Sequence, residues 1–66
     1  MSVMKVIELM AESPESWEDA TKLGVKKASN SVDGITSAWV KDQSVKVKNG
    51  KVEAFRVTLK VTFEVK

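Results

Sequence analysis

The sequence contains no cysteine, no histidine and no tyrosine among its 66 residues. Without cysteine there are no disulfide bonds and no thiolate metal ligands to stabilise so short a chain. Without histidine the commonest general base and the commonest metal-binding ring are missing. No nucleophile elbow or glycine-rich phosphate loop replaces them, so the sequence predicts that this protein is not an enzyme.

Long apolar runs and one-sided charge are also absent. No run approaches the roughly 18 apolar residues that a membrane span needs. The first five residues lack the basic-then-apolar layout of a signal peptide, so we expect a cytoplasmic protein that makes no membrane contact. The 11 basic and 9 acidic residues are interspersed and leave a net charge of only +2. Nucleic-acid-binding proteins concentrate positive charge on one face, so this pattern argues against a nucleic-acid partner.

The residues that are present predict one α+β domain covering residues 1–66. Hydrophobic residues make up 42% of the chain and charged residues 30%, a mixture typical of globular domains. A short apolar run at residues 5–10 predicts a first strand that is covered on both faces. Ser13 then caps a helix with Pro14 in its first position, and the helix ends near residues 30–32. Its inward stripe consists mostly of small residues: Trp17, Ala20, Thr21, Gly24, Ala28 and Ser31.

Two further strands follow, which gives the order β-α-β-β and a three-stranded antiparallel sheet wrapped around one helix. In the second strand, Ile35–Lys48, apolar residues occupy the even positions 38 and 40 in the first half and the odd positions 45 and 47 in the second. This change of alternation predicts a bulge between residues 42 and 44. Asn49 and Gly50 predict a type I′ hairpin turn. The third strand, residues 51–66, has one strictly apolar face, which carries Phe55, Val57, Leu59, Val61, Phe63 and Val65.

The lengths of these elements predict self-association. A helix of about 18 residues spans roughly 27 Å. A strand covering residues 51–66 spans roughly 50 Å at about 3.3 Å per residue. One helix cannot cover the apolar face of so long a hairpin, and a soluble monomer rarely leaves such a patch exposed. We therefore expect a closed homo-oligomer.

The order of these segments and their amino-acid sequences resemble the dodecin family over essentially the whole chain. The matching stretches are KVIEL at 5–9, SPESWEDA at 13–20, SVD at 31–33, VKDQSV at 40–45 and FRVTLKVTF at 55–63. The resemblance implies a hollow, roughly spherical homododecamer. It also implies a flavoprotein that binds riboflavin or FMN between subunits, for storage or sequestration rather than catalysis.

The flavin contacts of that family fall on changed residues here. The ring-stacking tryptophan of the second strand corresponds to Ser37, and the ring-binding glutamine of the third strand corresponds to Arg56. Trp39 lies two residues further on, on the same face as Ser37, about 7 Å away. The family's calcium-dodecin branch resembles this sequence more closely, with an arginine in the third strand and a Ser-Trp-Glu helix start.

The candidate ligand-binding residues are therefore Ser37, Trp39, Asp42 and Arg56, each with an alternative role. Trp39 either stacks on a ligand or packs at a subunit interface. Arg56 pairs either with an anionic ligand or with an acidic residue of a neighbouring subunit. Asp42 and Glu8 are the best carboxylate candidates for a cation, or are simply solvated or salt-bridged. The metal ligands themselves stay unassigned.

Two functions remain open at this level. The first is a non-enzymatic cage that binds a small molecule between subunits, with flavin as the ligand the resemblance implies. The alternative is a flavin-free variant with a structural or divalent-cation-binding role, calcium in particular.

Overall fold

The computed structural model describes residues 2–65 and contains the four predicted elements in the predicted order. They are β1 (Val3–Ser13), α1 (Trp17–Ser29), β2 (Ile35–Lys48) and β3 (Lys51–Val65). The strands form one antiparallel sheet in the order β1-β3-β2, so β3 is central and β1 and β2 are its edges. The chain is elongated, measuring 51 × 19 × 14 Å, and the α+β, three-stranded prediction is confirmed.

The helix begins three residues later than predicted. Ser16, not Ser13, is the N-cap, and its Oγ accepts a hydrogen bond from the Asp19 backbone N–H at 2.9 Å. Ser13 is the last residue of β1, where pairing with β3 holds its backbone extended. Its hydroxyl donates instead to the Asp19 carboxylate at 2.6 Å. Pro14 lies between strand and cap rather than inside the helix, so both predicted start residues were wrong.

The helix has 13 residues rather than about 18 and ends at Ser29. Asn30 closes it with a backbone N–H donated to the Lys27 carbonyl at 3.2 Å. Gly34, at φ +78°, then turns the chain, and its carbonyl accepts the Glu64 N–H at 3.0 Å. Neither this helix nor any other within residues 2–65 is long and apolar enough to cross a membrane.

The core lies between the small-residue stripe of α1 and the odd-numbered face of β3. Ala20, Gly24 and Ala28 are buried on the helix side. Val57, Leu59 and Val61 are completely buried beneath them. The partly buried residues packed around this centre are Ile7, Leu9, Ala11, Trp17, Val25, Ile35 and Val40. The predicted inward stripe and the predicted apolar face of β3 therefore form the two halves of one core.

The second strand is bulged, as its change of phase predicts. The register shifts between Val40 and Asp42, which makes Lys41 the extra residue, just before the predicted window. Two further irregularities lie between Ile35 and Ser37 and between Lys46 and Val47. Asn49 and Gly50 have φ values of 53° and 75°, which confirms the type I′ turn.

Within one chain, only one face of β1 is covered. Its odd-numbered residues, such as Ile7 and Leu9, pack against the core. Val6 and Met10, on the other face, are exposed. The expectation that β1 is covered on both faces is thus wrong for the single chain, because the only helix within residues 2–65 lies on one side of the sheet.

The helix also fails to reach the far end of the hairpin. Val45, Val47 and Val52 carry the apolar face beyond it and are 38%, 58% and 53% exposed. A helix of 13 residues spans about 20 Å, less than half the length of the molecule. The uncovered apolar surface that the sequence predicts is therefore present in the folded chain.

Candidate functional site

The sheet surface opposite α1, which we call the helix-free face, carries the predicted site residues. Cross-strand partners point to the same side of a sheet, so the register defines which residues share this face. β3 contributes Arg56, Thr58, Lys60, Thr62 and Glu64; β1 contributes Met4, Val6, Glu8, Met10 and Glu12; β2 contributes Ser37, Trp39, Asp42 and Ser44. Hydroxyl, charged and exposed apolar groups are mixed across it.

All four predicted ligand-binding residues lie on the helix-free face, but they form a row rather than a single pocket. Along β3, Ser37 pairs with Thr62, Trp39 with Lys60 and Asp42 with Thr58. Arg56 lies one pair further along the face. Six residues of β3 separate the two ends of this row, a distance of roughly 20 Å. A small ligand can therefore touch two or three of these positions in one chain.

Trp39 is the most exposed aromatic side chain of this face. It is 62% exposed, which keeps both predicted roles available to it. The Lys60 ammonium lies 5.5 Å from the centre of its ring, close enough for a cation–π contact. Lys60 therefore occupies part of the aromatic surface on which a flat ligand would stack.

Arg56 forms an ion pair within its own chain. Its Nη2 lies 3.2 and 3.3 Å from the two carboxylate oxygens of Glu12, its cross-strand neighbour on β1. Both side chains are partly exposed, so the pair contributes little to stability. It does fix the direction of the guanidinium. Within one chain the acidic partner of Arg56 is Glu12, and pairing with a neighbouring subunit stays a prediction.

The two carboxylates proposed for cation binding differ in their surroundings. Glu8 accepts from Lys41 Nζ at 3.1 Å, so its charge is balanced by the bulge residue. Asp42 has no ion-pair partner within residues 2–65. The hydroxyl-bearing residues Thr58 and Ser44 are its neighbours on the face, one across the ladder and one along β2.

A complete metal site is not formed by one copy of the described chain. Residues 2–65 contain no group of three acidic, histidine or cysteine side chains that could hold a metal ion. Calcium takes six to eight oxygen ligands. Asp42, Thr58 and Ser44 have four side-chain oxygens between them, fewer than the six that calcium needs, so further ligands would have to come from water or from another subunit.

Sequence reasoning did not identify Glu12, Lys41 or Lys60 as parts of this site. Lys60 follows Arg56 by four residues on a clearly alternating strand, so period-2 alternation alone places both on one face. Glu12 is recognisable only once the β1–β3 register is known. Lys41 is hidden by the bulge, which turns an extra residue toward Glu8.

Comparison with known proteins identifies the family. A sequence model of the dodecin family matches residues 3–66. The chain belongs to the dodecin family. Calcium dodecin from Mycobacterium tuberculosis (strain ATCC 25618 / H37Rv) is 39% identical over 66 residues, which is 100% of this chain and 93% of that dodecin.

Solved dodecin structures share the fold. Dodecin from Streptomyces davaonensis superposes with a TM-score of 0.94 at 23% identity, over 98% of this chain and 96% of the other. The calcium-chelating dodecin of Mycobacterium tuberculosis, described as having a novel calcium-binding site, has a TM-score of 0.86 at 41% identity. That match covers 98% of this chain and 93% of the other. The β-α-β-β fold is thus the dodecin fold, and a calcium-binding dodecin is among the relatives.

Proposed function

We propose that this dodecin is a non-enzymatic homododecamer that binds Ca²⁺ between its subunits, with Asp42 as the carboxylate ligand supplied by each chain. The observation that carries the proposal is the Asp42 carboxylate, which has no ion-pair partner within residues 2–65 and lies on a sheet face that none of the described elements covers. Symmetry of the assembly would bring copies of this face together and multiply its oxygen ligands.

The assembly is supported by surface that the single chain leaves uncovered. Large apolar side chains are exposed at both ends of the helix-covered face and on the helix-free face: Val3, Met4, Val6, Met10, Trp39, Val45, Val47, Val52 and Val65. Among residues 2–65, only four form the fully buried cluster at the centre of the core. A small chain without cysteine has neither disulfides nor a thiolate metal site to stabilise it, and self-association buries this surface.

The residues at the two flavin-contact positions favour calcium over flavin as the ligand. Ser37 offers no aromatic face, and Arg56 is a cation held by Glu12 where the resemblance expects an amide. The calcium dodecin of Mycobacterium tuberculosis matches nearly the whole chain, at 39% identity by sequence and 41% in the superposed structure. Both lines of support point to the cation-binding branch of the family.

The test is a calcium titration of the assembled protein by calorimetry, with a thermal shift as a second readout. Ca²⁺ that binds only the folded assembly raises its melting temperature by mass action. We expect Asp42→Asn to lower the affinity for Ca²⁺ at least tenfold, because it removes the negative charge and one strong oxygen ligand. Asp33→Asn, in the exposed turn before β2, is the matched control and should bind Ca²⁺ normally. The absence of heat and of a thermal shift with the unaltered protein would exclude calcium as its ligand.

A second candidate, flavin storage, is favoured by one observation. Trp39 is 62% exposed on the same face as Ser37, so it can offer an aromatic surface displaced by about 7 Å. Titration of the protein into riboflavin or FMN would quench flavin fluorescence if the ring stacks on this residue. Trp39→Leu should then abolish the quenching, whereas Trp17→Phe, on the other face, should retain it. Unchanged fluorescence with excess protein would exclude this candidate.

A further inference from the structure

The contact between Trp39 and Lys60 belongs to a row of three cross-strand neighbours on the helix-free face. Lys60 on β3 has Trp39 beside it on β2 and Glu8 beside it on β1. Its ammonium group can therefore reach either an aromatic ring or a carboxylate. It lies 5.5 Å from the centre of the Trp39 ring and forms no ion pair within residues 2–65. Lys60 thus contacts the aromatic neighbour although an acidic one lies directly opposite.

Arg56, four residues earlier on the same strand and face, makes the opposite choice. Its neighbour on β1 is Glu12, and the two form an ion pair at 3.2 Å. Its neighbour on β2 is Ser44, which offers no ring. A cation of β3 therefore pairs with its acidic neighbour on β1 where no aromatic ring competes and the carboxylate is free to accept it.

The carboxylate beside Lys60 is already engaged by the bulge residue. Lys41 Nζ lies 3.1 Å from Glu8 Oε1. Lys41 belongs to β2 and Glu8 to β1, so this ion pair spans the central strand, across roughly 10 Å between the two outer strands. Exposed ion pairs and exposed cation–π contacts are of similar strength. Which neighbour Lys60 contacts therefore depends on whether Glu8 is occupied.

An ammonium group over the ring changes what Trp39 can bind. A flat ligand stacks on the face of an aromatic ring, and this is the face that attracts a cation. To stack on Trp39, such a ligand has to displace Lys60 and lose the cation–π contact. For an exposed pair this loss corresponds to about a two- to fivefold weaker binding constant. The contact therefore acts selectively against flat aromatic ligands.

We propose that Lys60 is a specificity-determining residue, whose ammonium group keeps flat aromatic ligands off Trp39. Lys41 is a positioning residue, because it acts on the ring only by engaging Glu8 and so leaving Lys60 to the tryptophan. The inference rests on the proposed preference for calcium over flavin. It adds a third determinant of that preference to the two changed flavin-contact positions.

Riboflavin is the probe for the test, because its flat ring carries no phosphate group that Lys60 could attract. The protein is titrated into riboflavin and the flavin fluorescence is followed. Lys60→Ala should bind riboflavin about two- to fivefold more tightly than the unaltered protein does. Lys60→Arg is the matched control, since arginine also stacks on aromatic faces, and its affinity should be unchanged. Trp39→Leu, added to Lys60→Ala, should remove the gain.

Two results would overturn the role of Lys60: no gain in riboflavin affinity with Lys60→Ala, or a gain that survives Trp39→Leu. A second measurement needs no flavin. The chain has two tryptophans, so Trp39 is the only one left in a Trp17→Phe background. Lys60→Ala should make its fluorescence more accessible to quenching by acrylamide, and Lys60→Arg should not. Equal quenching of all three proteins would contradict the contact.

The role of Lys41 has its own reversal test. Lys41→Ala frees Glu8, which can then draw Lys60 away from the ring, so riboflavin affinity should rise here too. Adding Glu8→Gln removes the competing carboxylate and should return the affinity to that of the unaltered protein. A merely structural effect of altering the bulge would not be reversed in this way. An unchanged affinity with Lys41→Ala, or a gain that persists in the double variant, would refute the positioning role.

Calcium calorimetry separates this inference from the proposed function. Lys60→Ala leaves Asp42 in place and should bind Ca²⁺ as the unaltered protein does. A protein that binds no Ca²⁺ but gains riboflavin affinity with Lys60→Ala would refute the calcium proposal and support the role of Lys60. A protein that binds Ca²⁺ and shows no such gain would refute the role of Lys60 and leave the calcium proposal standing.

Discussion

Replacement of Gly24 by alanine tests how closely the helix approaches the sheet. Gly24 lies in the middle of α1 and is buried against the strands. A methyl group placed there would lie 2.7 Å from Leu59 Cδ1, 3.2 Å from Ala11 Cβ and 3.4 Å from Leu9 Cδ1. The first distance is about 1 Å shorter than an optimal carbon–carbon contact.

Two opposing effects set the magnitude. Alanine favours a helix over glycine by about 1 kcal/mol. Overpacking of a dense core costs about 1–3 kcal/mol. Leu59 is completely buried and Ala11 is fixed to a strand backbone, so neither neighbour can swing away into solvent. We therefore place the steric cost near the upper end of its range and expect Gly24→Ala to lower the free energy of unfolding by about 1–2 kcal/mol.

Chemical denaturation at a fixed protein concentration measures the effect, because an oligomer's stability depends on concentration. Lys26→Ala, on the exposed side of the same helix, is the control and should change stability by less than about 0.5 kcal/mol. Leu59→Val removes a methylene of the clashing side chain. Combined with Gly24→Ala, it should give a favourable coupling of at least about 0.5 kcal/mol.

This reasoning would be refuted if Gly24→Ala raised the free energy of unfolding by the whole helix-propensity difference between alanine and glycine, about 1 kcal/mol. Such an increase would mean that the helix does not lie against Leu59 as closely as the structure shows. Strict additivity with Leu59→Val would contradict the steric argument in the same way.

Three further substitutions test individual contacts. Ser16→Ala removes the N-cap acceptor of Asp19 and should cost about 1 kcal/mol by chemical denaturation, whereas Ser29→Ala at the other end should cost less. Trp17→Phe retains an aromatic ring but loses the hydrogen bond to the Ser44 carbonyl. We expect it to lower the free energy of unfolding by about 0.5–1.5 kcal/mol in the same assay. An unchanged free energy would show that water fully replaces the indole N–H. Glu12→Gln breaks the partly exposed ion pair with Arg56 and should change stability by less than about 1 kcal/mol; a larger loss would mean that the pair is buried in the assembly.

Local patterns in the sequence were sufficient for most of the fold. The alternation of β3 located its buried face, and Asn49-Gly50 located the turn, because both signals depend on neighbouring residues only. The helix start was misplaced because Ser13 and Ser16 are both good caps, three residues apart. The choice between them is made by pairing of β1 with β3, a long-range contact that a local pattern does not contain.

The candidate site was predictable as a face but not as a set of contacts. Alternation placed Ser37 and Trp39 on one side of β2, and the register confirms it. The partners Glu12 and Lys60 depend on which strand lies beside which, and the order β1-β3-β2 is a tertiary property. The bulge at Lys41 was anticipated from the change of phase, but its position depends on the β3 register.

Native mass spectrometry at micromolar concentration tests the central claim most directly, which is that this chain completes its core only in an assembly. The account predicts a folded species of twelve chains of 7.3 kDa each, with no monomer of comparable abundance. A monomer that stays folded at this concentration, with Val47 and Trp39 left in water, would contradict it.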